Sequence, residues 1–257
     1  MIADTPLLVV AGVIGLAVGS FLNVCIFRLP EGRSVVRPPS RCRSCGHLLT
    51  WWENIPVISY AVLRGRCRTC GASLSWQYPL VELVTGAMFV IAVRQFGVSW
   101  LAASRLLFAS AMIVLFVIDL EHRILPNLIT LPGIVAGFLF SLLTEPGWMA
   151  SAIGIAAGGG VLLAIAEAYY RIRHEQGLGM GDVKMLAMIG AFLGWKLMLL
   201  TLVLSSFAGS LVGVALIVTR RGDLKYALPF GTFLAAGAVV AGFAGDPIVR
   251  WYANFYA

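Results

Sequence analysis

The chain has 257 residues, of which 60% are hydrophobic and only 12% are charged. Soluble domains carry about twice that charged fraction, and a globule of this size cannot enclose so many apolar side chains. The apolar content also excludes intrinsic disorder, and the 28 glycines follow no collagen-like period. The composition therefore predicts an integral membrane protein. We interpret the formal net charge of +7 as a sign of orientation and lipid contact, not of nucleic-acid binding.

Seven apolar runs have lengths that suit a crossing of roughly 30 Å of hydrocarbon. They are Leu7–Phe27, Pro79–Phe96, Ala103–Asp119, Leu128–Thr144, Met149–Tyr170, Leu197–Thr219 and Leu228–Ala244. An eighth run, Val183–Gly194, is short, and it spans only if its helix also includes Gly181–Asp182 and Lys196 reaches the interface. The expected fold is all-α and polytopic, with about eight transmembrane helices.

The long polar stretch Arg28–Gln77 contains eight arginines and two glutamates. Because cytoplasmic loops collect Lys and Arg, we expect this stretch in the cytoplasm and the N-terminus, with Asp4, outside. The first span lacks the features of a cleaved signal peptide. Eight alternating spans then place 15 basic residues inside and four outside. The predicted divisions are a first helix (1–27), a cytoplasmic loop (28–78) and a membrane domain (79–257).

Four of the five cysteines form two Cys-x-x-Cys pairs, Cys42 with Cys45 and Cys67 with Cys70. Two such turns complete a tetrahedral S₄ site, so the spacing predicts a structural zinc ion. Two disulfides are the main alternative, but a cytoplasmic loop is kept reduced. A redox pair lacks the thioredoxin-like context. Four thiolates leave the metal no open position, so we expect no catalytic role for it.

Carboxylates are rare near the lipid and are functional candidates by default. Four qualify, namely Glu82, Asp119, Glu167 and Asp182. On the traced topology, Asp119 and Asp182 lie at the cytoplasmic ends of their helices and at one depth. Two carboxyl groups close together cannot both ionise, so one can act as a base for water while the other donates a proton. Gly179 and Gly181 would let an extended substrate backbone approach the acid.

Simpler interpretations remain open for these residues. Asp119 would be a helix-end side chain that reaches water, Asp182 a helix N-cap, and Lys184 an interfacial anchor. Asp119 and His122 have a spacing that would allow metal binding. The two glutamates would hydrogen-bond between helices.

Several motifs occur in collinear order along nearly the whole chain. They are Gly19-Ser-Phe-Leu-Asn-Val24, Arg28-Leu-Pro30, Pro38-Pro-Ser-x-Cys42-x-x-Cys45, Trp52-Glu-Asn-Ile-Pro56, Arg64-Gly-Arg-Cys67-x-x-Cys70, Tyr78-Pro-Leu-Val-Glu-Leu83, Asp119 with Leu125-Pro-Asn127, and Gly177-x-Gly-Met-Gly-Asp-Val-Lys184. With them the sequence resembles the type IV prepilin peptidases, bifunctional leader peptidases and N-methyltransferases of bacterial inner membranes.

The resemblance implies an intramembrane aspartyl protease of the Gly-x-Gly-Asp class, with Asp119 and Asp182 as the catalytic pair. It implies prepilin and pseudopilin substrates that are cut on the cytoplasmic side, after a Gly that ends a short basic leader. The new N-terminal residue, usually Phe, is then methylated from S-adenosylmethionine. The full cysteine loop is similar to that of the bifunctional members, and it and its neighbours, with Glu53 among the candidates, are implied to carry the methyltransferase activity.

Two other classes of function remain as alternatives. A proton-coupled transporter would use the membrane aspartates as a relay, but it should show repeat symmetry and mid-bilayer acids. A membrane scaffold would dock partners through the zinc loop and would leave both aspartates unexplained.

Overall fold

The computed structural model describes residues 5–173, 179–219 and 228–255. The expectations that concern Asp4, Gly177 and the basic loop 220–225 lie outside these residues.

Over the described residues the chain is helical, with a cysteine-containing loop between the first and second long helices. The elements are α1 (Thr5–Arg28), a 3₁₀ helix (Trp52–Asn54), α2 (Ile58–Val62), α3 (Gln77–Phe96), α4 (Trp100–His122), α5 (Asn127–Ser141), α6 (Trp148–Arg173), α7 (Met180–Val218) and α8 (Phe230–Phe255). Within the described parts, six of them are long and apolar enough to cross a membrane, and α5 is a shorter apolar helix. The predicted all-α polytopic class is confirmed.

The chain divides into two compact units, one up to Ala102 and one from Ala103 onward. The predicted division after residue 78 stays a prediction. In the first unit, α1 and α3 pack antiparallel and very closely. A Cβ on Gly15 would lie 2.8 Å from the Cα of Gly86, and one on Gly19 would lie 2.7 Å from the Cα of Glu82. Small residues let helix backbones approach in this way inside a membrane.

The second unit is built around the first arm of α7, which we define as residues 180–193. From Val183 to Leu193 this arm is buried at almost every position, as expected for a helix that is hydrophobic all round. α6 packs against it through Gly154, which touches the backbone of Gly190, and through Gly158, which touches that of Leu186. The arm that carries Asp182 is therefore closely packed by its neighbours.

At Gly194, helix α7 breaks. The residue has φ 73° and ψ 171°, a conformation that is essentially restricted to glycine. Two backbone carbonyl oxygens just before the break accept side-chain hydrogen bonds from other helices. Arg105 Nη1 donates to the oxygen of Phe192 (3.2 Å), and Ser151 Oγ donates to that of Ala191 (2.8 Å).

The helices that pack on α7 show that the chain reverses direction at this break. We define residues 195–218 as the second arm. α8 is antiparallel to it, because Gly237 lies against Ser205 and Gly245 against Leu197.

The first arm runs the other way. α4 is antiparallel to α8, with Asp119 beside Gly231 at one end and Phe108 beside Gly242 at the other. α4 is also antiparallel to the first arm, since Arg105 bonds Phe192 at the end opposite Asp119 and Asp182. The first arm is therefore parallel to α8, and the two arms form a hairpin. They correspond to the predicted spans 183–194 and 197–219.

Candidate active site and metal centre

Asp119 lies in the last turn of α4 and is only 5% exposed. Its Oδ2 accepts two hydrogen bonds from Thr232, one from the backbone N–H (2.6 Å) and one from the hydroxyl (3.0 Å). The carboxylate also interacts electrostatically with Arg123, whose own N–H bonds the Asp119 carbonyl. Asp119 thus lies at a helix end, as the simpler interpretation has it, but it is buried and bonded to another helix.

Sequence reasoning missed Gly231 and Thr232, which open α8 and form the wall behind Asp119. A Cβ on Gly231 would lie 3.0 Å from both Cγ and Oδ2 of Asp119 and 3.0 Å from Leu125 Cδ1. Neither residue carries a charge, and each is more than a hundred positions from the aspartate in sequence. The small Gly-Thr pair at the start of the last span is the only signal they leave.

Asp182 lies in the first turn of the first arm, and Gly179 is the N-cap residue. The N-cap interpretation of Asp182 is therefore wrong, since Asp182 instead donates its N–H to the Gly179 carbonyl (3.1 Å). Gly181 serves packing, because a Cβ there would lie 2.9 Å from Leu125 Cβ. At Gly179 the nearest side-chain atom to an added Cβ would be Asp182 Oδ2, at 3.4 Å.

The two aspartates come together at one end of the second unit. Their carboxyl groups are near enough to interact electrostatically. Leu125 lies close to Gly181, which precedes Asp182, and to Gly231 of α8, which faces Asp119.

Lys184, the last residue of the Gly177–Lys184 motif, points to α5. Its Nζ donates to Asn127 Oδ1 at 2.9 Å. This bond ties the first arm to the N-terminus of α5, one turn from Asp182.

The four cysteines of the loop form the second candidate site. Their Sγ atoms all lie within 4.8 Å of one another, with Cys42 to Cys70 at 3.9 Å and Cys45 to Cys67 at 4.0 Å. A tetrahedral zinc site with bonds of about 2.3 Å needs sulfurs about 3.8 Å apart. None of the four forms a disulfide. Among the described residues they are the only such set that can hold a metal ion, so the pairing of Asp119 with His122 as a metal site gains no support.

The backbone around the cysteines repeats the same turn twice. In each pair the first cysteine donates its N–H to the residue five positions on and accepts a bond from the following glycine, Gly46 or Gly71. Both glycines have φ above 70°, where a side chain would be strained. The backbone N–H groups of Cys45 and Ser44 lower the pKa of the Cys42 thiol to about 6, which favours the thiolate that a metal needs.

The remaining carboxylates have structural partners. Glu82 accepts hydrogen bonds from Ser20 of α1 and from the N–H of Val57, which confirms its expected link between helices. Glu167 instead pairs with Arg171 one turn along its own helix. Glu53 is buried in the loop, where the hydroxyl and N–H of Thr50 and the ring of His47 lower its pKa to about 2.

Fold and sites together define a polytopic membrane protein with a neighbouring pair of helix-end aspartates and a four-cysteine metal-type cluster. The family model for the bacterial peptidase A24 N-terminal domain matches residues 13–96, and that of the type IV leader peptidase family matches residues 106–214. The chain belongs to the type IV leader peptidase family, and it is an enzyme of that family.

Curated relatives agree with this assignment. A Stutzerimonas stutzeri protein is 36% identical over 99% of this chain and 97% of its own length, and a Pseudomonas aeruginosa protein is 35% identical over 94% and 92%. A Myxococcus xanthus protein is 42% identical over 80% of this chain, and that match spans 62% of its length. All three bear the name prepilin leader peptidase/N-methyltransferase. No solved structure matches the chain.

Proposed function

We propose that this protein is an intramembrane aspartyl endopeptidase and N-methyltransferase. It removes the short basic leader of type IV prepilins and pseudopilins after a Gly, and it methylates the new N-terminal residue, usually Phe, from S-adenosylmethionine. The observation that carries the proposal is the approach of Asp119 and Asp182 in a chain whose relatives are named for both activities. The transporter alternative gains no support from these relatives.

In the proposed peptidase step, the aspartates divide the acid and base roles. One carboxylate takes a proton from a water molecule, which attacks the scissile carbonyl carbon, while the other carboxyl donates a proton to the carbonyl oxygen. Collapse of the tetrahedral adduct breaks the C–N bond, and the amine leaves with a proton from the pair. Thr232 supports this chemistry by fixing Asp119 Oδ2, so Oδ1 is the oxygen left to face water or substrate.

We place the aspartate end of the second unit at the cytoplasmic face of the bacterial inner membrane. The basic loop between α1 and α3 supports this orientation under the positive-inside rule. A prepilin carries its apolar segment in the bilayer and its leader in the cytoplasm, so its scissile bond would lie at the same boundary. The arginines of the loop would contact anionic lipid headgroups.

We assign a structural zinc ion to Cys42, Cys45, Cys67 and Cys70. The sulfur separations and the two matched turns support this assignment. The loop has few other buried apolar side chains, so a metal would supply the stability that a small core lacks.

A direct test is incubation of the purified chain with a synthetic prepilin and S-adenosylmethionine, followed by mass measurement of the products. We expect a mass loss equal to the leader and then a gain of one methyl group. An intact prepilin after prolonged incubation would contradict the proposal.

A further inference from the structure

The surface of the first unit contains an open cavity of about 390 Å³ that the peptidase chemistry does not use. It lies where one face of α1 meets the loop. Ala17, Phe21 and Val24 line it from the helix, and Pro38 and Pro56 line it from the loop. Its volume lies in the range of small-molecule pockets, and apolar and polar groups share its lining.

The polar groups of the cavity come from helix α1 and from the loop. Ser20 and Arg28 lie on the same face of α1 as the apolar wall, and Asn54 ends the 3₁₀ helix. Arg28 donates to the carbonyl oxygens of Ser34 and Pro38, at 3.0 and 2.8 Å, so its cationic group is fixed at the rim. The cavity therefore offers a fixed guanidinium from Arg28, a hydroxyl from Ser20 and an amide from Asn54.

Behind Ser20 lies a buried carboxyl group. Glu82 is only 7% exposed, and its carboxylate accepts hydrogen bonds from Ser20 and from the N–H of Val57. Val57 adopts φ 61°, a strained conformation for a β-branched residue, and it follows Pro56 of the cavity wall. Such strain persists where the surroundings over-determine it, and it is concentrated at ligand sites.

We propose that this cavity binds the methyl donor S-adenosylmethionine, an inference that rests on the methyltransferase activity proposed above. The donor has a carboxylate, which suits the guanidinium of Arg28 at the rim of the cavity. The ribose hydroxyls and the adenine edge of the donor could hydrogen-bond Ser20 and Asn54, and the adenine ring would pack on the apolar wall. A lipid tail would leave the polar groups unused.

Glu53 is not a ligand of the donor in this assignment. It does not line the cavity, and its carboxylate already accepts bonds from Thr50 and His47. Those bonds hold the turn that ends in Asn54, so the carboxylate contacts the protein and not the donor.

The test is equilibrium binding of radiolabelled S-adenosylmethionine to the full chain in lipid nanodiscs. Ala17→Phe should fill the cavity and weaken binding by tenfold or more, equal to about 1.4 kcal/mol. Val13→Phe is the matched control, since it adds a ring to an exposed position one turn away on α1, and it should bind as the wild type does. Asn54→Ala, in a loop, tests the site without added bulk in a membrane helix, and it should weaken binding severalfold.

The outcomes separate this inference from the proposed function. If the wild type cleaves and methylates but Ala17→Phe and Asn54→Ala bind the donor as the wild type does, the cavity assignment is wrong and the function stands. An increased KM for prepilin in Ala17→Phe with unchanged donor binding would show that the cavity holds peptide, which also overturns the assignment. A wild type that neither cleaves nor methylates would overturn the proposed function itself.

Discussion

Asp119 is oriented by a single residue of another helix. Both hydrogen bonds to its Oδ2 come from Thr232, one from the backbone and one from the hydroxyl. Hydrogen bonds to a charged group contribute about 1.5–3 kcal/mol each, so the hydroxyl bond has a measurable share in placing the carboxylate.

Thr232→Val keeps the shape and the backbone N–H but removes the hydroxyl. We expect leader cleavage to slow by about tenfold because the Asp119 carboxyl loses one of its two anchors. The check is the kcat for a synthetic prepilin. Thr201→Val is the control, since that buried hydroxyl bonds only the backbone of its own helix. Equal rates for Thr232→Val and the wild type would show that the hydroxyl does not position the acid.

Gly231 leaves room for the Asp119 carboxyl. In Gly231→Ala the new methyl group would lie 3.0 Å from Asp119 Cγ and Oδ2, so we expect a displaced carboxyl and a loss of cleavage of tenfold or more. Gly242→Ala on the same helix is the matched control, because its nearest neighbour would be at an ordinary 3.5 Å. Cleavage assays of both variants decide the matter, and full activity of Gly231→Ala would refute the packing argument.

From the sequence the two aspartates can be predicted, but the residues that hold Asp119 in place cannot. Asp119 and Asp182 could be found because carboxylates are rare in apolar segments and each needs a reason to be there. Gly231 and Thr232 could not, because glycine and threonine are ordinary in membrane helices. Their role depends on which helix lies beside α4, and that is a long-range contact.

Helix α7 shows how one residue determines an element. Its 39 residues would extend about 58 Å as a straight helix, nearly twice the hydrocarbon thickness. Hydropathy could predict two spans here, since an apolar run of this length has to be divided. It could not predict that the turn is made at Gly194 alone, or that Arg105 and Ser151 would donate from other helices to the carbonyl groups just before it.

Gly194→Ala should destabilise the second unit. The backbone conformation at this position costs a residue with a side chain about 1–3 kcal/mol, and the added Cβ would lie 2.8 Å from Pro146 Cβ. We expect a lower Tm in thermal unfolding of the nanodisc-embedded protein. Gly209→Ala, in the second arm, should leave the Tm unchanged or raise it, because its Cβ would meet nothing nearer than 3.6 Å. A Tm for Gly194→Ala at or above that of the wild type would contradict this account.

For the whole molecule, the metal cluster is proposed as a support of the first unit. We expect one zinc ion per purified chain, and loss of it in Cys67→Ala with faster proteolysis of the loop between α1 and α3. Cys25 lies in α1, outside the cluster, so the Cys25→Ala protein should keep its zinc ion. Elemental analysis measures the zinc content of both variants. Full zinc content in Cys67→Ala would show that the four sulfurs do not form the site.

Charge and hydropathy also predict the large-scale plan of the molecule. The scarcity of charge places the chain in the membrane, and the cysteine spacing predicts the cluster whose sulfurs the structure brings together. The cavity beside α1 was not predicted, because its walls come from a helix face and two loop segments that only the folded backbone assembles.

The central claim is that Asp119 and Asp182 together cleave the leader. It is tested most directly by Asp119→Asn and Asp182→Asn, each assayed against a synthetic prepilin by mass. Asn keeps the size of the side chain but can neither accept the proton from water nor return it, so each variant should lose cleavage while still inserting in the membrane with its zinc. Leader removal at the wild-type rate by either variant would contradict the account.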